Sequence, residues 1–76
     1  MSHRERIFVA LLDEDVEVWR PVEAEPLGGG RYRIVEQPYD RDVESWQFVP
    51  GDVVDVEPVA SSDGPIRAAV RRSPDR

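Results

Sequence analysis

Residues 16–35 alternate apolar with charged side chains, stop at three consecutive glycines (28–30), and then resume the alternation. A period of two with one apolar face is the pattern of a strand buried on one side, and glycine supplies the positive φ angles a tight connection needs. The stretch predicts a long β-hairpin and commits the chain to a β fold. One place in it is at odds with a simple strand. Trp19, Arg20 and Pro21 stand side by side, and proline cannot donate a ladder hydrogen bond, so an edge, a bulge or a bend is expected there.

Three further strand-like runs join the two of the hairpin, giving five in all at residues 7–12, 16–25, 31–36, 43–49 and 53–57. The breaks between them carry turn chemistry: the acidic turn at Asp13, Glu14 and Asp15, a polar loop at 37–42, and Pro50-Gly51, which suits a type II turn. Five short strands with tight turns and no helix among them predict a small closed barrel, since closure removes exposed edges. Past Pro58 the composition changes. Residues 60–64 read as a linker, and 65–72 as a short helix with Ile66, Ala69 and Val70 on one face. The expected organisation is a barrel over 1–58, followed by a linker and a short helix or disordered tail over 59–76. A two-turn helix is unstable alone and has to dock.

Parity sorts the strands into faces. The expected core is Ile7, Val9, Leu11, Val16, Val18, Val22, Ala24, Tyr32, Ile34, Trp46, Phe48, Val54 and Val56. Arg20 falls among the inward valines and Trp19 among the outward glutamates. Phe8, Ala10 and Leu12 are left on the outer side of the first strand and require a cover: the tail helix, or else a partner or a second copy of the chain.

At 76 residues there is room for one domain with a small core and no deep substrate pocket. The absence of cysteine excludes disulfides, a thiolate nucleophile and cysteine-ligated metal, and suits a reducing cytoplasm. The apolar run near the N-terminus is too short for a leader peptide or a membrane span. Net charge is −6, with fourteen acidic residues against six arginines in residues 1–58, and two against four beyond. Such a body repels nucleic acid and anionic membranes.

Nothing reads as an active site. The acidic residues at 13–17 lack the glycine-turned loop of a calcium site, and the three glycines lead into a strand rather than a helix N-terminus, so neither a metal nor a phosphate-bearing cofactor is expected. His3 is the only histidine and sits near the N-terminus. The chain is accordingly read as non-enzymatic. Of Trp19, Tyr32, Tyr39, Trp46 and Phe48, the core does not claim Trp19, placed outward by parity, and Tyr39, in a polar loop. With Arg20 and Arg41 they form the expected partner-binding set, an amphipathic groove for a peptide segment.

The sequences Val18-Trp-Arg-Pro-Val22, Tyr32-Arg-Ile34, Trp46-Gln-Phe48 and Pro50-Gly-Asp52 resemble those of a group of short bacterial proteins of uncharacterised function with an SH3-like barrel. The resemblance covers residues 7–57 and implies a fold rather than an activity. The paired tyrosine motif and acidic loop with which signalling SH3 domains read proline-rich ligands are missing. The functional expectation is a cytoplasmic protein- or peptide-binding module. One alternative is an RNA-associated module using Arg31, Arg33 and the tail arginines. The other is an acidic accessory or immunity-like protein that neutralises a basic partner.

Overall fold

The computed structural model describes residues 3–12, 14 and 16–73. Five strands form a closed barrel: β1 (Glu5–Ala10), β2 (Trp19–Gly28), β3 (Arg31–Ile34), β4 (Val53–Ser61) and β5 (Gly64–Arg72). Successive strands pair antiparallel, and β5 closes the barrel by a parallel pairing with β1, Phe8 opposite Ala68. No helix occurs among the described residues, and so none long and apolar enough to cross a membrane.

The β2–β3 hairpin forms as its alternation predicts. Gly28, Gly29 and Gly30 all take positive φ (93°, 68° and 81°), and Gly28 pairs with Arg31 across a register shift. The inward residues Val22, Ala24, Tyr32 and Ile34 are buried, as are Ile7, Val9 and Val54, while Leu11 and Val56 pack against them half-buried. Val18 is half-buried too, but Val16 lies outside β2 and is 71% exposed. Of the acidic turn, Asp13 and Asp15 lie outside the described residues, as do residues 74–76 of the tail.

Two elements differ from expectation, and the differences compensate. Residues 43–49 are not a strand. Asp40 folds the chain into a turn, its side chain accepting from Asp42 N (3.0 Å) and its carbonyl from Val43 N and Glu44 N (both 3.0 Å). What remains is one bridge, Trp46 opposite Leu11. The fifth strand comes instead from residues 64–72, expected as a helix. Ile66 and Val70 are β-branched, which favours an extended chain, and the barrel offers this segment two strands to pair with. The expected linker is the β4–β5 hairpin turn, where Ser61 pairs with Gly64 and the Ser61 hydroxyl donates to Gly64 O (2.6 Å). The boundary expected at residue 58 therefore falls inside β4, and Ala68 and Ala69 join the buried set. The C-terminal segment does lie against β1, but as its neighbour in the barrel wall rather than as a helix across its face.

A polar network reinforces that closure. The Tyr32 hydroxyl and Arg67 both donate to Glu5 Oε1 (2.9 Å each), and Arg67 also bonds the Tyr32 hydroxyl. These bonds, the Tyr32 one foremost, with His3 adding to them, hold the Glu5 carboxyl below its ordinary range. β1, β3 and β5 are thus tied at one rim.

Candidate functional site

The anomaly at residues 19–21 is where β2 loses its second neighbour. β3 pairs with β2 only from Ala24 onward, so residues 19–22 keep β1 on one side and an open edge on the other. Backbone parity is set by two bonds: Leu11 N donates to Val18 O across to β1, whereas Val35 N donates to Glu23 O on the opposite side. Trp19, Pro21 and Glu23 consequently aim their backbone groups away from β1, the first two at the open edge. Glu23 is satisfied by the amide of Gln37, whose Oε1 accepts from Glu23 N (3.1 Å) and whose Nε2 donates to Glu23 O (2.9 Å), continuing the ladder with a side chain. Pro21 falls where an N–H would otherwise face outward. A proline costs the sheet nothing there, and it blunts the edge against pairing with another chain.

Residues 35–52, which connect β3 to β4, fold back toward this edge. The connection is pinned to β1 by Leu12 N to Ser45 O (2.8 Å) and Gln47 N to Ala10 O (2.9 Å), and at its end by the Val49–Asp52 turn, closed by Asp52 N to Val49 O (3.0 Å). Trp46 and Phe48 are buried beneath it. The Trp46 indole lies 4.4 Å from the Tyr39 ring, centroid to centroid, tilted by 31°, and Trp46 N donates to the Tyr39 hydroxyl (3.2 Å). Glu44 joins the loop to the barrel. It accepts from Arg20 Nε (3.0 Å) and Nη2 in a two-pronged pair, and from Trp46 Nε1 (2.9 Å). Arg20 and, less strongly, Trp46 hold its carboxyl below the usual range, and Glu44 raises Arg20 in return. The uncomfortable inward parity of Arg20 is resolved by this partner.

Between edge and loop lies an open groove of about 750 Å³, walled by Arg20 and Pro21 on one side and by Pro38, Tyr39, Val43 and Glu44 on the other, with Trp46 also lining it. Arg41 stands over the Tyr39 ring (5.8 Å to the centroid) and has no carboxylate partner among the described residues. Of the expected binding residues, the groove brings together Arg20, Tyr39 and Arg41. Trp19 does not line it: the side chain is half-buried, with Nε1 buried and without a hydrogen-bond partner among the described residues. Pro21, Gln37, Glu44 and Trp46 were not anticipated as site residues. Only Pro21 carried a readable signal, its presence inside a strand.

No His, Cys, Asp or Glu triad among the described residues is arranged to hold a metal ion. The arginines on which RNA binding would rely are largely committed. Arg33 pairs with Glu25, Arg67 with Glu5, Arg71 with Asp55 and Glu57, and Arg72 with Asp52. Arg31 has no such partner among the described residues, and Arg76 lies outside them. No protein-family model, curated protein or solved structure matches the chain.

Proposed function

We propose that this chain is a non-enzymatic peptide-binding module, an SH3-like barrel whose groove takes an extended segment of a protein partner. The observation that carries the reading is the Tyr39–Trp46 pair in an open groove beside an arginine, Arg41, that no carboxylate among the described residues engages. Aromatic faces and two prolines offer apolar contact, and Arg41 offers a charge-assisted bond to a carboxylate on the ligand. Because Pro21 removes a donor from the middle of the open edge and Gln37 caps Glu23, recognition runs through side chains rather than through an added strand. Arg20 serves as a structural wall, its guanidinium already held by Glu44. The five-strand closure and the Pro50-Gly51 turn support the relation to SH3-like barrels and the short bacterial proteins the chain resembles, and the lack of cysteine suits a cytoplasmic setting.

The test is selection of peptides from a random display library against the whole chain, followed by titration of a selected peptide against Arg41→Ala and Tyr39→Ala. Arg41 is exposed, so its removal leaves the fold intact, and a loss of tenfold or more in affinity is expected. Unchanged affinity in both variants would refute the assignment. Self-association that Arg41→Ala abolishes would make the occupant a second copy of the chain instead.

A further inference from the structure

A second pocket, of about 410 Å³, shares no residue with the groove and is lined by Leu27, Arg31, Asp52, Val53, Arg72 and Ser73, with Gly51 beside the turn. Arg31 has no carboxylate partner among the described residues: Asp55, opposite it in the β3–β4 ladder, accepts from Arg71 (2.9 Å). Arg72 gives Asp52 a single bond (3.2 Å), and its guanidinium stands over the Phe48 ring, 6.0 Å from the centroid. Ser73 adds a buried hydroxyl that has no hydrogen-bond partner among the described residues. Two guanidiniums against one carboxylate leave the pocket with one uncompensated positive charge, in a chain whose net charge is −6. We propose that this pocket binds a single carboxylate group, between the guanidiniums of Arg31 and Arg72. The local charge matches a monoanion better than phosphate, the guanidinium fork fits a carboxylate, and Leu27 supplies an apolar margin for the carbon that bears it.

The experiment is an NMR titration following arginine Nε–Hε signals, with sodium acetate in one arm and inorganic phosphate in the other, at constant ionic strength to hold screening fixed. Acetate should shift Arg31 and Arg72 saturably, with half-saturation at about 10 mM, while Arg4 and Arg6 stay still. Arg31→Ala should abolish the Arg72 response, and Arg41→Ala should leave it intact. Equal, unsaturable shifts at all arginines, or an Arg72 response that survives Arg31→Ala, would overturn the site. Phosphate binding more tightly than acetate would overturn the ligand class.

Discussion

Ile34 joins the core to the loop that builds the groove, and its truncation gives the most quantitative test of the fold. Its side chain is fully buried, while its N–H donates to Asp52 O (2.9 Å) and its carbonyl accepts from Gly51 N (2.7 Å), so the residue ends β3 and holds the far end of the 35–52 connection. Ile34→Ala leaves those backbone bonds and removes three carbons. Transfer alone costs about 2.5 kcal/mol, at roughly 0.8 per carbon, and the cavity left behind raises the loss to about 3–4 kcal/mol. A domain of this length holds about 4–11 kcal/mol in total, so the variant should retain a cooperative transition only narrowly, with Tm lowered by about 15–30 °C. Ile34→Val should cost about 1 kcal/mol. Urea unfolding followed by tryptophan fluorescence and circular dichroism reads both, with Val43→Ala as the reference. Val43 is 74% exposed, and its truncation should stay within about 0.5 kcal/mol. If Ile34→Ala cost no more than Val43→Ala, the inward parity on which the core assignment rests would be wrong.

Three further outcomes follow from particular contacts. The carboxyls of Glu5, held by the Tyr32 hydroxyl, and Glu44, held by Arg20, both lie below the ordinary 4.5 in the folded chain. Their stabilisation is full above the unfolded value and is lost as pH falls through the folded one, so the urea midpoint should drop on acidification below about 4.5, and Glu44→Gln should shrink that drop. A midpoint that rises on acidification would contradict this. Gly64→Ala should destabilise by about 1–2 kcal/mol although a Cβ there meets nothing within 4 Å, because φ is 106° and the cost is backbone strain alone. An unchanged thermal midpoint would argue against the turn conformation. Pro21→Thr restores an outward N–H on the open edge of β2 and should promote self-association in sedimentation velocity, with little change in barrel stability. A strictly monomeric variant would show that Pro21 does not protect that edge.

The hairpin was legible because Val22, Ala24, Tyr32 and Ile34 obey a period of two around three glycines. The segments at 43–49 and 64–72 depart from what their sequence patterns predict for related reasons. Trp46 and Phe48 alternate because one side of a connecting segment packs on the core, and alternation records burial on one side whether or not a ladder forms. Ile66, Ala69 and Val70 fit a helical face, yet a nine-residue run is decided by the partners the barrel provides. Part of the groove was legible too: Arg20, Tyr39 and Arg41 were marked by an awkward parity and by a place in a polar loop. Gln37 and Glu44 were not, because a side chain that completes a ladder or bridges Arg20 to Trp46 does so only once the 35–52 connection has folded back.

The central claim is that the edge of β2 and the loop across from it form a peptide-binding groove. The direct measurement is an ¹H–¹⁵N chemical-shift map of the whole chain with a display-selected peptide. Saturable shifts should concentrate at Arg20, Gln37, Tyr39, Arg41, Glu44 and the Trp46 indole, with β4 and β5 unmoved. Shifts centred elsewhere on the barrel, with the Tyr39 and Trp46 signals unchanged, would contradict it.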